Sequence, residues 1–189
     1  MKIAILLGSV REGRQTHKIT YYLQAQLRVH PGVEVDVVDL KDVQLPIFSN
    51  RWQKDDSPHP NLPRISQLLH DADAIIFSSP EYHGSYTGVL KNAVDHYWQE
   101  FSRKPIGVVA TGAGRYGGIN ASTEMQQLIL SLGAYPIPYK LLVPQIKGAF
   151  DGEDQLTDTS VIETVDKFVA EFLWFSRAIV RAKLVKAGS

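Results

Sequence analysis

Residues 79–88 place a proline, a carboxylate, aromatic rings, an imidazole, glycines and hydroxyls within ten positions. Aromatic rings and an imidazole offer flat surfaces with polar edges, and a glycine lets a ligand approach the backbone closely. Such a mixture suits the binding of a flat ring with polar edges. The alternative is an ordinary loop before a helix, in which the tyrosine packs and the glutamate is solvated. The candidate ring-binding residues are Pro80, Glu81, Tyr82, His83 and Gly84.

Residues 8–16 could bind a phosphate. Ser9 and Thr16 supply hydroxyls. Arg11 and Arg14 supply cationic forks that match phosphate oxygens, and a helix that begins here would add free backbone N–H groups. The segment is neither a P-loop nor a dinucleotide fingerprint, because it lacks both Gly-Lys-Ser/Thr and Gly-x-Gly-x-x-Gly. The alternative is a helix cap with arginines that face solvent.

Residues 111–118 contain four glycines. This density indicates either backbone that is pressed against a neighbour or residues with positive φ. A loop of this kind can present N–H groups to the carbonyl oxygens of a ring. The alternative is a flexible loop without a ligand.

The elements that position these three loops follow from alternating apolar runs and helical periodicities. Strands are predicted at residues 3–7, 33–40, 73–79, 106–110 and 135–143, the last demoted toward an edge by its two prolines. Helices are predicted at residues 15–29, 61–71, 88–101, from the third loop to about residue 132, and after Thr157 as the cap of the last. Such alternation predicts a doubly wound parallel sheet with helices on both faces. The loops after strands one, three and four of such a sheet open at the same edge, where ligands bind.

Composition and missing motifs narrow the chemistry. The 189 residues predict one domain over 1–189, and a formal net charge of zero makes no case for nucleic acid or a membrane. There is no cysteine, which excludes disulfides and thiolate chemistry. The six histidines lack metal-ligand spacing, and no nucleophile elbow is present. We therefore expect a cytoplasmic protein without a metal site, whose chemistry belongs to a bound cofactor.

These segments together resemble a known family. The first loop begins Gly-Ser-Val-Arg, the second reads Ser-Pro-Glu-Tyr-His-Gly-Ser and leads into Gly-x-Leu-Lys-Asn-Ala-Val-Asp, and the third is rich in glycine. Asp39-Leu40 and Leu45-Pro46 also match the family's pattern after its second strand. The resemblance is to the NADPH-dependent FMN reductases, which include small quinone, azo-dye and chromate reductases, and it spans most of residues 1–150. It implies a flavodoxin-like five-stranded sheet in the order 2-1-3-4-5.

The resemblance also implies a site and a reaction. Its phosphate-binding residues would be Ser9, Arg11, Gln15 and Thr16. Its ring-binding residues would be Pro80, Glu81, Tyr82, His83 and Gly84, with Thr111, Gly112 and Gly114 completing the pocket. The cofactor would be FMN, the co-substrate NADPH or NADH, and the partner a small-molecule electron acceptor such as a quinone, azo compound, metal ion or flavin. The chain departs from the family at His83, where Asn is usual, and at Thr87, where Pro is usual.

Two other classes of protein remain as alternatives. The first is a non-catalytic electron carrier or flavin-binding module of the same fold, and the second is a structural or interaction module. The resemblance further implies a homodimer or homotetramer. Trp98, Phe101 and the apolar last helix could supply the interface, or they could pack in the core, as could Trp52.

Overall fold

A computed structural model describes residues 1–50 and 59–187. Its strands are β1 (Lys2–Leu7), β2 (Glu34–Asp39), β3 (Ala74–Pro80), β4 (Pro105–Thr111), β5 (Tyr135–Pro136) and β6 (Leu141–Val143). Its helices are α1 (Thr16–Arg28), α2 (Leu40–Val43), α3 (Asn61–Asp71), α4 (Gly88–Asp95), α5 (Ile119–Ser131) and α6 (Thr159–Ala187). Trp52, for which packing was predicted, lies outside the described residues.

The predicted sheet is confirmed. All strand pairs are parallel, and the order is β2-β1-β3-β4-β5, with β6 also paired to β4. The apolar faces of α3, α4 and α5 pack against one side of the sheet, and those of α1 and α6 pack against the other. Because helices cover both sides, every residue of β3 and β4 is buried, which explains their continuous apolar runs.

The fifth strand position is divided between two short strands. β5 pairs with the first two residues of β4, and β6 pairs with its last three. The single strand predicted over 135–143 is therefore wrong in its middle, where Pro138 cannot donate to a ladder. The prediction that prolines confine this segment to an edge is confirmed, since nothing described pairs beyond it.

Two helix boundaries and one helix differ from the prediction. α4 ends at Asp95 rather than at residue 101, and the chain continues in i→i−3 turns that bring buried Phe101 edge-on to Phe77. α6 is capped by Asp158 rather than Thr157, because the Asp158 carboxylate accepts the N–H groups of Ser160 and Val161 at 2.9 and 3.2 Å. The short α2 was not predicted.

The residues proposed for an interface divide between core and surface. Phe101 and the apolar side of α6 are buried. Of the two alternatives, packing in the core is therefore the one that holds for them. Trp98 is about half exposed. No helix in the described part of the chain has the length and hydropathy needed to cross a membrane.

Candidate functional site

The three predicted loops converge at the carboxyl edge of the sheet. They follow β1, β3 and β4, which are neighbours in the sheet. Each pair of loops is joined by direct hydrogen bonds, described in turn below. The loops therefore form one rigid rim rather than three independent segments.

Thr87 joins the first loop to the second. Its hydroxyl donates to the Gly8 carbonyl at 2.6 Å and accepts the Leu90 N–H at 3.3 Å, which caps α4. Its own N–H donates to Ser79 Oγ at 3.0 Å. The resemblance implies a proline at this position, and a proline would have neither the N–H nor the hydroxyl that make these three hydrogen bonds.

Buried hydroxyls join the first loop to the third. Thr16 and Thr111 share a hydrogen bond of 2.8 Å between their Oγ1 atoms, and both residues are about 1% exposed. Directly below, Thr20 and Ser78 share another of 2.8 Å. The Thr16 hydroxyl therefore ties the start of α1 to the end of β4, and the backbone N–H groups that begin α1 lie beside it.

Glu81 joins the second loop to the third. Its carboxylate accepts the backbone N–H groups of Asn120 and Ala121 at 2.9 and 3.1 Å, at the N-terminus of α5. A carboxylate is stabilised there by the unpaired N–H groups and the helix dipole. Its own N–H donates to the Thr111 carbonyl at 2.9 Å. Glu81, predicted to border a ring, thus positions the two loops against each other.

The tip of the second loop is a tight turn. The N–H of Tyr82 donates to Ser85 O at 2.9 Å, and the N–H of Ser85 donates to Tyr82 O at 3.1 Å. Between them His83 and Gly84 have φ of 52° and 78°, as in a type I′ turn. Asn and His are both enriched in this left-handed region, which gives a conformational reason for His83 at a position where the resemblance implies Asn. The Tyr82 and His83 side chains are exposed at the tip.

The two arginines of the first loop have different roles. Arg14 forms two hydrogen bonds of 2.6 Å with the carboxylate of Asp39 and donates to Ser9 O at 2.7 Å. The Arg14 guanidinium is thereby engaged in the fold, which corrects its prediction as a phosphate fork. Arg11 is exposed, has no carboxylate within 4 Å among the described residues, and lies 5.6 Å from the Tyr82 ring centroid. Arg11 is therefore the arginine of the first loop that could meet a phosphate.

Several pKa values near the first loop are shifted. Burial raises the pKa of the Asp39 carboxyl, but the hydrogen bonds from Arg14 and the Lys41 N–H outweigh it, so the pKa lies below its usual value. Burial and the negative Asp39 raise the pKa of Tyr21, whose hydroxyl donates to Asp39. Burial and the nearby Arg14 cation lower the pKa of His17. Arg14 and Asp39 are therefore the charged side chains at the base of the first loop.

The glycines of the third loop serve different purposes. A Cβ on Gly117, whose φ is 60°, would lie 2.9 Å from the backbone nitrogen of Pro144, so the loop packs against the segment after β6. Gly112 is bonded on both sides to that segment, donating to Val143 O and accepting from the Ile146 N–H. Gly114 has no atom within 4 Å of an added Cβ. The flexible-loop alternative does not hold, because Gly112 and Gly117 are fixed by backbone contacts.

One wall of the candidate site was not predicted from the sequence. A cavity of about 640 Å³ lies beside the first loop, lined mainly by apolar residues of α2, α4 and the segment after α2. Asn92 fixes that segment, donating to Pro46 O at 2.9 Å and accepting the Phe48 N–H at 2.7 Å, and His96 Nε2 donates to the same Pro46 oxygen at 3.0 Å. Asn92 belongs to the Leu-Lys-Asn motif, but nothing in that motif indicated its partner.

The rim matches the chemistry of FMN. For the phosphate it offers the N–H groups that begin α1, the Gln15 backbone at the N-cap, Ser9 and the Arg11 guanidinium. For the ring it offers the exposed aromatic and imidazole side chains of the tight turn. Added Cβ atoms on Gly84 and Gly114 would meet nothing within 4 Å, so both leave open space beside the rim. No group of metal-ligating side chains occurs among residues 1–50 and 59–187.

The sheet order and the site define a flavodoxin-like α/β protein with its ligand site at the carboxyl edge. The model of the NADPH-dependent FMN reductase family matches residues 1–148. The NAD(P)H-dependent FMN reductase PA1204 of Pseudomonas aeruginosa is 28% identical over 185 residues, covering 94% of this chain and 96% of that protein. An FMN-dependent NADPH-azoreductase of Staphylococcus haemolyticus is 34% identical over 131 residues, covering 68% and 67%.

Solved structures agree on the fold. FerB, a flavoenzyme NAD(P)H:(acceptor) oxidoreductase from Paracoccus denitrificans, superposes with a TM-score of 0.76 at 24% identity, covering 94% of this chain and 97% of FerB. The chain therefore belongs to the NADPH-dependent FMN reductase family. FMN is the cofactor of this family and NAD(P)H is its co-substrate.

Proposed function

We propose that this protein is an NAD(P)H-dependent FMN-containing oxidoreductase that reduces small-molecule acceptors such as quinones, azo compounds, metal ions or free flavin. The observation that supports this most directly is the rim of three loops, locked together by Thr87, Thr16–Thr111 and Glu81. FMN, when bound, would supply the redox chemistry that connects NAD(P)H with the acceptor. The chain's own residues bind the cofactor and hold it in place.

Two sets of residues would hold the cofactor. Arg11, the Ser9 hydroxyl and the N–H groups at Gln15 and Thr16 would bind its phosphate. The tight turn and the third loop would border its ring, through Pro80, Glu81, Tyr82, His83, Gly84, Thr111, Gly112 and Gly114. In this arrangement the hydrogen bonds of Glu81 would set the width of the ring site, because they fix the distance between the second and third loops.

The same proposal extends to domain, assembly and location. Residues 1–189 would form a single FMN-binding domain in a cytoplasmic homodimer or homotetramer. The absence of cysteine is consistent with a reducing compartment, and an exposed apolar residue beside the 640 Å³ cavity, Ile47, is consistent with association.

The purified protein tests the function directly. Its absorbance spectrum is expected to show a flavin band after incubation with FMN, and it is expected to oxidise NADPH or NADH in the presence of menadione. A flavin-loaded protein without oxidase or menadione activity would instead be an electron carrier. A colourless protein that takes up no FMN would be an interaction module, and the proposal would be wrong.

Arg11→Ala is expected to weaken FMN binding by about tenfold to a hundredfold, because a charge-assisted hydrogen bond contributes about 1.5–3 kcal/mol. Titration of flavin-free protein with FMN, followed by quenching of flavin fluorescence, measures the dissociation constant. Arg64→Ala, at an exposed arginine on α3, is the matched control and should leave it unchanged. Equal FMN affinity in the Arg11 variant would exclude Arg11 from the phosphate site.

A further inference from the structure

Arg115 and Tyr116 form the exposed tip of the third loop. Tyr116 is 62% exposed, and Cζ of Arg115 lies 4.7 Å from the centroid of its ring. The Arg115 guanidinium also donates to the Tyr116 hydroxyl. The backbone beside this tip is fixed, because Gly114 O accepts the Gln145 N–H at 3.2 Å. A cation and an aromatic ring therefore project together from the rigid rim of the site.

The pair is arranged before any ligand binds. A guanidinium has five N–H donors, and the hydrogen bond to Tyr116 uses one of them. Stacking on the ring orders the Arg115 side chain, so less conformational entropy is lost when its remaining donors bind an anion. The high exposure of Tyr116 leaves ring surface open to a second planar group.

No carboxylate neutralises Arg115 in the described part of the chain. The sequence has no acidic residue between Glu100 and Glu124, and no described carboxylate oxygen lies within 4 Å of the Arg115 guanidinium. Glu81 reaches the start of α5, but its carboxylate accepts backbone N–H groups at that helix N-terminus. The charge of Arg115 is therefore available to an anionic ligand.

The co-substrate is a ligand that needs an anchor on this rim. The Gly-x-Gly-x-x-Gly fingerprint that holds a dinucleotide is missing, so the adenosine half must be bound in another way. NADPH differs from NADH only in a phosphate on the 2′-oxygen of the adenosine ribose. In other dinucleotide sites an arginine accommodates this phosphate, and bases stack on aromatic side chains. Arg115 and Tyr116 together supply both kinds of contact.

We propose, on the basis of the proposed function, that Arg115 binds the 2′-phosphate of NADPH and that Tyr116 stacks on its adenine. The third loop borders the proposed ring site, so a dinucleotide whose nicotinamide lies against FMN extends its adenosine half across the tip of this loop. NADH makes the adenine contact but lacks the phosphate contact, so NADPH is the preferred co-substrate. A formal net charge of zero disfavours a long polyanion, such as nucleic acid, as the ligand of this cation.

Arg115→Ala tests the phosphate contact without any reaction. Isothermal titration calorimetry measures the binding of adenosine 2′,5′-bisphosphate and of adenosine 5′-monophosphate to protein that has been incubated with FMN. Wild type should bind the bisphosphate at least about tenfold more tightly, because hydrogen bonds between charged groups are strong, and the variant should lose that difference. Arg177→Ala, at an exposed arginine of α6, is the matched control and should bind as wild type. No binding of the bisphosphate, equal affinity of wild type for the two ligands, or a difference that survives Arg115→Ala would overturn the proposal.

Tyr116→Ala and Tyr116→Phe test the stacking contact. The alanine variant should bind both nucleotides at least about fivefold more weakly, because the stacking of a base on an aromatic ring is lost. The phenylalanine variant keeps the ring and should bind the monophosphate as wild type does. An alanine variant with unchanged affinity, or equal losses in the two variants, would exclude adenine stacking on Tyr116.

Kinetics separate this inference from the proposed function. In menadione reduction, Arg115→Ala should lower kcat/KM for NADPH by about tenfold, mainly through KM, and leave kcat/KM for NADH unchanged. A wild type that oxidises NADPH and NADH with equal kcat/KM would keep the proposed function and overturn the inference. A wild type that oxidises neither, yet prefers the bisphosphate through Arg115, would contradict the proposed function and leave the nucleotide site standing.

Discussion

Replacing Gly8 with alanine is expected to destabilise the protein by about 3 kcal/mol, near the upper end of the usual cost of overpacking. An added Cβ would lie 2.8 Å from Leu90 Cβ and 2.9 Å from Thr87 Oγ1. Neither neighbour can turn away easily, because a Cβ moves only with its backbone and the Thr87 hydroxyl is held by the Gly8 carbonyl. The variant must therefore displace the start of α4 from the first loop.

The same displacement should affect the cofactor site. Gly8 begins the first loop, and Thr87 lies at the end of the second loop, so widening their contact separates the two loops. We expect weaker FMN binding together with the lower stability, measured by urea denaturation and by FMN titration. The midpoint of thermal unfolding should fall by about 9 °C, given the size of the chain.

Gly148→Ala is the matched control for Gly8→Ala. Nothing lies within 4 Å of a Cβ added there, and its φ is not in the left-handed region. That variant should be neutral or slightly more stable, by about 0.4–1 kcal/mol, because alanine restricts the unfolded chain. Equal stability of the two variants would mean that the contact between the first loop and α4 is not tight.

The convergence of the three loops at one edge of the sheet was predictable from sequence because it depends on topology. Apolar runs locate the strands, parallel strands end at a common edge, and the loops there were rich in functional groups. What the residues do within the loops was less predictable. Arg11 and Arg14 are three positions apart with the same side chain, yet only the fold brings Asp39, 25 positions away, to one of them. A pair of residues so far apart in the sequence cannot be recognised from the sequence alone.

The ends of elements were the least predictable part of the fold. The apolar periodicity of residues 88–101 continues past the end of α4, because Tyr97 and Phe101 are also buried in the turns that follow the helix. Glu81 shows the same difficulty at the site. Its carboxylate accepts N–H groups at the start of α5, a helix that begins 38 residues later, and the residues beside Glu81 in the sequence did not indicate that partner. The backbone of His83 was not predictable either. The sequence shows that the residue carries an imidazole, but it does not show that its φ is in the left-handed region.

Replacing Asp39 with asparagine is expected to have an effect of similar size, about 3 kcal/mol, because it leaves a largely buried guanidinium without its anion. Asp39 is 6% exposed and accepts hydrogen bonds from Arg14, Tyr21 and the Lys41 N–H. Arg14 in turn holds Ser9 through its carbonyl. Losing the pair should therefore loosen both the start of α2 and the first loop.

The pH dependence separates this effect from simple loss of packing. The pKa of the Asp39 carboxyl is lowered in the folded protein, so the unfolded state binds its proton more readily. The stability from this group is then fully present above the unfolded pKa of about 3.9. It is lost as the pH falls through the folded pKa. Urea denaturation between pH 7 and pH 3 should show a constant difference between wild type and Asp39→Asn near neutrality, which shrinks in acid.

A double-mutant cycle distinguishes the charge pair from its separate residues. The single variants Arg14→Met and Asp39→Leu should each destabilise, because each leaves the other charge of the pair buried without its partner. The combination of Arg14→Met with Asp39→Leu removes both charges, and replacing a buried ion pair by apolar side chains is often neutral. The double variant should therefore be more stable than the sum of the single effects predicts, by at least about 1 kcal/mol. Additive effects, or a difference between wild type and Asp39→Asn that does not shrink in acid, would mean that the pair contributes little as a pair. The first loop would then be held in place mainly by Thr16 and Thr87.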